Sequence, residues 1–539
     1  MAVGEVLLVL VGALGDLAWR KFLKPARSLE MEMKNPRVRV LLVDVPWRRS
    51  ALALEDQLRL RIGRRLIELR AESIYNADSA AQIEYEESNG GAVRPPARFF
   101  TSDIGLTPLP WDIDKFASSH LDPAAGDAAG VRAELARQLE EYVGWFTGET
   151  LPGLPRYAPA SDELFERVRG LKRDGTKVAV YVAVPPEFYP QVTGQWEGLA
   201  DRLVLEKPAA GLDRELKYAP ADGLLEAVAR LGAEAQGATS DHYNSKLMTR
   251  AMDRIRDYHL FDHLLEPRRI RRIVVELLET APLPMGRCNF YNGAGGPFGD
   301  MAPHVFQMVR AVLGLTTGTL DVRFGERFCR ALYRDAPVGE NFGRLSDPDY
   351  EHEPSYYRPL DSQTETFVAF DAFVLLDGRE IPLYGRTGKG FSPERKTLRV
   401  DCCYDEATGA ELSITFRFDK AGPTIIVTDD WVDREFWLEA GPISLQEEFS
   451  SGVPGLEPEY RGIFECLARS DWGPSALDGR YFPPVPDAAR MADAVFKHLL
   501  AMRSRDASSG GGIPYKYTRN NAASCQEILG FLAHEARWQ

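Results

Sequence analysis

Thr239-Ser240-Asp241-His242-Tyr243-Asn244-Ser245-Lys246 gathers a carboxylate, an imidazole, a phenol and an amine into one short stretch. Ser240 or Asp241 is a good N-cap, so the spacing predicts a helix that starts there and continues through residues 247–252. His242 and Lys246 then stand four apart on one face. A helix start offers N–H groups and a positive dipole end, and Lys246 adds a full charge, which suits a dianion such as a phosphate ester. The plainer reading is a capped surface helix with solvated polar residues. His304, in Asp300-Met301-Ala302-Pro303-His304, is a second candidate, because a neutral imidazole can take a proton near pH 7. With Asp300 as N-cap, Pro303 falls in the first turn, where its missing N–H costs little. Val305, Met308, Val309, Val312 and Leu313 then make one apolar face. A core histidine satisfied by a backbone carbonyl is the plain alternative for His304.

These residues need a scaffold, and the first third of the chain reads as a nucleotide domain. Residues 6–11 are a continuous apolar run, as expected of a strand buried on both faces of a parallel sheet. Gly12, Ala13, Leu14, Gly15 and Asp16 follow as a turn, and Leu17 opens a segment of helical spacing. Strand, glycine turn and helix bring backbone N–H groups against a pyrophosphate, although two glycines also serve many turns for steric reasons alone. A second strand, residues 38–43, ends at Asp44, with Arg48 and Arg49 just beyond. A carboxylate there suits the ribose hydroxyls of NAD, whereas arginines suit the extra phosphate of NADP. The two arginines tip the expectation to NADP, with NAD still open. Residues 52–69 and 124–146 have helical patterns. Further strands are residues 177–184, stopped by Pro185-Pro186, and residues 203–205, running into Glu206-Lys207-Pro208. Ligands sit beyond the carboxyl ends of such strands, so Pro185 and Lys207 should edge the cofactor crevice.

A chain of 539 residues exceeds one ordinary core, and 44% apolar with 27% charged residues is the make-up of a soluble globular protein. The net charge of −14 argues against nucleic acid as a partner, so an anionic ligand needs a local cationic pocket. Six cysteines without metal-like pairing suggest reduced, buried thiols in a cytoplasmic protein; Cys402 and Cys403 would face opposite ways in a strand. No apolar run reaches transmembrane length, and the apolar start lacks a basic flank, so neither a membrane span nor a signal peptide is expected.

Taken together these motifs resemble the glucose-6-phosphate dehydrogenase family. Its nucleotide fingerprint is similar to Gly12-Ala13-Leu14-Gly15-Asp16-Leu17, and its Tyr-Leu-Ala-x-Pro-Pro to Tyr181-Val182-Ala183-Val184-Pro185-Pro186. Glu206-Lys207-Pro208, Asp241-His242-Tyr243 with Lys246, Asp300-Met301 with His304, Thr364-Glu365-Thr366-Phe367 and Arg386-Thr387-Gly388-Lys389 follow in family order, with a weaker echo at Pro458-Glu459-Tyr460. The resemblance implies a Rossmann-like α/β domain, residues 1–207, then an α+β domain with a large, mainly antiparallel sheet, residues 208–539, in a homodimer or homotetramer. It implies His304 as the base and Asp241 as the carboxylate that orients it. It places His242, Tyr243 and Lys246 on a sugar phosphate, and Lys207, Glu279, Asp300 and Lys389 on sugar hydroxyls or oxygens. The activity implied is oxidation of a hexose 6-phosphate to a lactone with NADP. The sequence departs from the family at Leu14, Ala209-Ala210, Gly299 and Pro303, around the sugar and the nicotinamide. An enzyme retuned to an amino or deoxy sugar phosphate, or a silent binding relative, therefore stands beside the main expectation.

Overall fold

The computed structural model describes residues 4–15, 17–33, 37–44, 53–59, 61–63, 65, 66, 69, 128–209, 211, 212, 218, 219, 222–231, 236–240, 265–279, 295–315, 320–333, 365–389, 395–405, 407, 410–417, 424–429, 458–469, 472, 477, 479, 482–507 and 513–515. Six parallel strands make the first sheet: β1 (Glu5–Val11), β2 (Arg37–Asp44), β3 (Tyr157–Pro159), β4 (Lys177–Val182), β5 (Arg202–Glu206) and β6 (Gln236–Ser240). Their spatial order is β3-β2-β1-β4-β5-β6. The order reverses between β1 and β4, which is where doubly wound sheets open a ligand crevice at their carboxyl ends.

The apolar run of β1 explains its central place. Leu7, Val9 and Val11 enter one core, while Val6, Leu8 and Leu10 enter another on the opposite face. The second core is aromatic. Trp19 and Phe22 come from a π-helical turn (Ala18–Phe22) that leads into α1 (Leu23–Glu32). Tyr142 and Phe146 come from α2 (Ala128–Thr147), close to the expected helix. Tyr460 and Phe464 come from α7 (Pro458–Ala468), a C-terminal helix that returns to the first sheet. Between these lie α3 (Asp162–Arg173), α4 (Tyr189–Gln195) and α5 (Asp222–Arg230). Helix α3 is self-specified: Ser161 caps Leu164 N at 3.3 Å, with acidic residues in its first turn and basic ones in its last.

The second sheet has eight strands: β7 (Ile270–Glu279), β8 (Asp321–Tyr333), β9 (Phe367–Leu376), β10 (Arg379–Lys389), β11 (Arg395–Asp405), β12 (Ala410–Arg417), β13 (Thr424–Asp429) and β14 (Ile513–Tyr515). Their order is β13-β12-β11-β7-β10-β9-β8-β14. The β7–β10 and β8–β14 pairs are parallel and the other five antiparallel, so the expected fold class holds. Residue 207 is not where the sheets part: β6 joins the first sheet from beyond it, and α7 packs back on that sheet. Cys402 and Cys403 are adjacent on β11 and both buried; burial, first, pushes the Cys402 thiol up to about 12.

Helix α6 (Gly296–Val312) lies against β7, β9 and β10 and against α8 (Val485–Ala507). Two sequence expectations change here. Asp300 is not the N-cap, because the helix starts at Gly296 after a left-handed Gly295, with Pro297 in the first turn. Pro303 is therefore interior, and it has no N–H to give the carbonyl of Gly299. All of α6 is buried, not one face of it, since the sheet and α8 cover it on several sides. Gly296 is needed where it is: its φ is +69°, and a Cβ there would stand 2.7 Å from the Glu365 carbonyl. Among the described residues no helix is long and apolar enough to cross a membrane.

Candidate active site

The first sheet delivers Lys207 directly after β5, and α6, packed on the second sheet, carries Asp300 and His304. Lys207 Nζ donates to Asp300 Oδ1 at 2.6 Å and to the Asp300 main-chain carbonyl at 2.7 Å. Both side chains are about nine-tenths buried, at 11% and 10% exposure. This ion pair joins the carboxyl edge of the parallel sheet to the helix packed on the second sheet. His304 is four residues beyond Asp300, so the two share a helix face, and the imidazole is 1% exposed. Three of the expected site residues are thus gathered at one junction. Lys207 and Asp300, expected to meet a sugar, meet each other.

Glu279 and Lys389 lie on the second sheet. They end the neighbouring parallel strands β7 and β10 in direct register, and Lys396 Nζ lies 3.3 Å from Glu279 Oε1. Asp16, Arg48, Arg49, Asp241, His242, Tyr243 and Lys246 lie outside the described residues. The strand leading to Asp241 is described, and it corrects the start of the octapeptide: Thr239 and Ser240 belong to β6, beside Leu205 and Glu206 of β5.

At the switch point, Gly12 follows β1 with φ +90°, and a Cβ on it would lie 2.5 Å from the Ala183 carbonyl that follows β4. The glycine permits this close approach of two strand ends. The N–H groups of the turn are largely held by the fold. Gly12 and Ala13 donate to Val43 O at 2.9 and 3.3 Å, Leu14 to Asp44 Oδ2 at 3.0 Å, and Gly15 to Gly12 O at 2.9 Å. The sequence leaves the direction of Asp44 open; its carboxylate turns onto the glycine turn. The helical segment then opens at Leu17 with no side-chain cap, an N-terminus of the kind that can receive a pyrophosphate. Pro185 stands exposed just past β4, on the same lip of the sheet. A dinucleotide is compatible with these features.

Sequence reasoning missed a polar cluster beneath this edge. Glu206, at 5% exposure, accepts hydrogen bonds on Oε2 from Tyr181 of β4 and, at 3.3 Å, from Tyr460 of α7. Tyr189 of α4 donates to the Glu206 main-chain carbonyl at 2.5 Å. Tyr181 also meets Ser240 Oγ at 3.0 Å. Burial, and after it the Glu206 carboxylate, raises the Tyr181 and Tyr189 phenols well above their ordinary value, so both stay protonated donors. Tyr181, Glu206, Ser240 and Tyr460 each stand in a motif of the sequence, but nothing local shows that they meet.

No family model matches the sequence, and no curated protein sequence matches it. Among solved structures the chain is similar to a glucose-6-phosphate dehydrogenase in complex with its substrate glucose-6-phosphate, at 15% identity and TM-score 0.52, covering 96% of this chain and 95% of that one. It is also similar to glucose-6-phosphate 1-dehydrogenase from Mycobacterium avium, at 15% identity and TM-score 0.49, covering 95% and 94%. A 3-ketoreductase from Actinomadura kijaniata in complex with NADP and TDP-benzene follows at 12% identity and TM-score 0.45, covering 95% and 100%. At these identities the likeness is one of fold.

Proposed function

We propose that the chain is a nicotinamide-dependent oxidoreductase that oxidises the anomeric carbon of a hexose 6-phosphate, glucose 6-phosphate first among them, to a lactone with NADP. The observation that carries this reading is the Lys207–Asp300 pair at the carboxyl edge of the parallel sheet, with His304 one helical turn along. Sequence order and the dehydrogenase-like fold support it. A bound nicotinamide would supply the hydride acceptor for this oxidation. His304 takes the hydroxyl proton, and its burial keeps bulk water from competing for the ring. Asp241 orients that ring and stabilises the imidazolium as it forms. Lys207 and Asp300 hold sugar hydroxyls, exchanging part of their mutual contact for the substrate, with Glu279 and Lys389 as further oxygen contacts. His242, Tyr243 and Lys246 anchor the phosphate, remote from the reacting carbon, and so fix its alignment. Gly12 to Leu17 seat the pyrophosphate. Since Asp44 is turned onto the glycine turn, Arg48 and Arg49 are left to meet the 2′-phosphate of NADP. No metal enters this scheme.

A panel of free and phosphorylated sugars with NADP and NAD, followed by absorbance of the reduced nicotinamide, tests the reading. A hexose 6-phosphate should be used roughly a hundredfold more efficiently than the free hexose, the worth of one or two charge-assisted contacts. Equal efficiency for glucose and glucose 6-phosphate would overturn the phosphate anchor, and no reduction with any member would overturn the activity.

A further inference from the structure

Glu206 precedes Lys207, and Ser240 precedes Asp241. The two stand side by side in register at the ends of β5 and β6, so the segments carrying two proposed site residues leave the sheet from one point. Tyr181 links them. Its hydroxyl proton goes to Glu206 Oε2, so in the 3.0 Å contact with Ser240 the serine is the donor. The result is a directed chain from Ser240 through Tyr181 to Glu206. Tyr460 adds a second phenol to the same carboxylate oxygen, and Tyr189 secures the Glu206 backbone. Tyr181, Tyr189, Tyr460 and Ser240 are at most 1% exposed. Water therefore cannot replace a lost partner without entering a packed aromatic core, where Phe22 and Phe464 stack edge-on against Tyr181.

We infer that Glu206 is a positioning residue whose buried carboxylate, held by Tyr181 and Tyr460, sets the spacing between Lys207 and the chain entering Asp241. The inference rests on the functional reading above for its consequence in turnover, but not for its consequence in structure. Lys207 reaches Asp300 only if the end of β5 holds its place, and the donor chain adds to the β4 and β6 ladders in fixing that end. The anchoring also reaches the C-terminal part of the chain through Tyr460, so α7 contributes to the site without touching substrate.

Tyr181→Phe in the full chain is the test, because it deletes one hydroxyl and keeps the ring. Two readouts are needed. The first is turnover of glucose 6-phosphate with NADP. The variant should lose about ten- to a hundredfold in kcat, as misplacement of a site group does, while KM for NADP stays within about threefold. Glu206→Gln keeps an oxygen acceptor for the phenols and should retain more activity than Glu206→Leu. The second is reductive methylation of Lys207 followed by peptide mass mapping, which needs no substrate. Its amine, paired with Asp300 in the native protein, should be labelled about fivefold faster in Tyr181→Phe, the shift that one buried hydrogen bond sets. Tyr460→Phe removes the longer bond and should speed labelling less. Unchanged labelling in folded Tyr181→Phe overturns the inference. So does unchanged kcat, where the native protein turns the sugar phosphate over. If the native protein oxidises no sugar phosphate, the functional reading fails, and the labelling result alone decides this one.

Discussion

The six-stranded and eight-stranded sheets place their charges in opposite ways. In the first, β1, β4 and β5 are buried on both faces, and their polar groups stand at strand ends: Lys177 and Arg202 at the start, Glu206 and then Lys207 at the finish. In the second, one face is apolar, with Ile273, Val275 and Leu277 in the core that also holds α6. The other face carries cross-strand pairs, Arg272 with Asp401, Arg386 with Glu276, and Ser413 with Asp401. A parallel sheet buried on both sides leaves its edges as the place for chemistry, whereas a half-exposed sheet can use charge to fix its own register. The candidate site lies where the edge of one meets the core helix of the other.

Ion pairs taken out of water carry the largest energetic consequence. Arg503 of α8 holds Glu365 through two bonds, at 2.9 and 2.6 Å, and Glu365 is 0% exposed beside the start of α6. Arg503→Ala should cost about 3–5 kcal/mol in urea unfolding, since it strands a buried carboxylate. Arg323→Ala removes an exposed partner of Glu380 on the second sheet and should cost no more than about 1 kcal/mol. Similar losses for the two would erase the distinction between anchoring and surface charge.

The junction itself can be sharpened by a double-mutant cycle on Lys207→Met and Asp300→Asn, read in unfolding free energy. Direct contact predicts a coupling of about 0.5–3 kcal/mol, and additivity would mean the two sheets are not joined there.

A pH-dependent effect tests the packing behind α6. His498 stacks on Phe324 with ring centres 4.2 Å apart, and burial, then Arg505, holds its pKa down to about 4 from an ordinary 6.5. The unfolded chain takes up this proton first as pH falls. The contribution of the neutral ring is therefore complete above about 6.5 and is lost progressively toward 4. His498→Phe should flatten the thermal midpoint across that window. An unchanged slope would place the acid sensitivity elsewhere.

What could be read from sequence follows from the same contrast. β1, β2, β4 and β5 were legible because burial on both faces demands unbroken apolar runs. The strands of the second sheet mix charges with apolar residues, so their existence rested on family resemblance. The start of α6 is encoded by the left-handed Gly295 and by Pro297 in the first turn, not by Asp300, whose type alone suits a cap. The Glu206 cluster was invisible for a different reason. Its partners are 25 and 254 residues away, and no local pattern encodes such a meeting. Lys207, Asp300 and His304 were each named from motifs, but the direct Lys207–Asp300 bond was not.

The most direct measurement is steady-state reduction of NADP by glucose 6-phosphate in His304→Asn beside the native protein. With His304 as the base, turnover should fall about a hundred- to ten-thousandfold while sugar-phosphate affinity stays within a few-fold, because that interaction is made in the transition state. A variant that keeps more than about a tenth of native turnover would contradict the account, since so small a loss lies below the range of general-base catalysis.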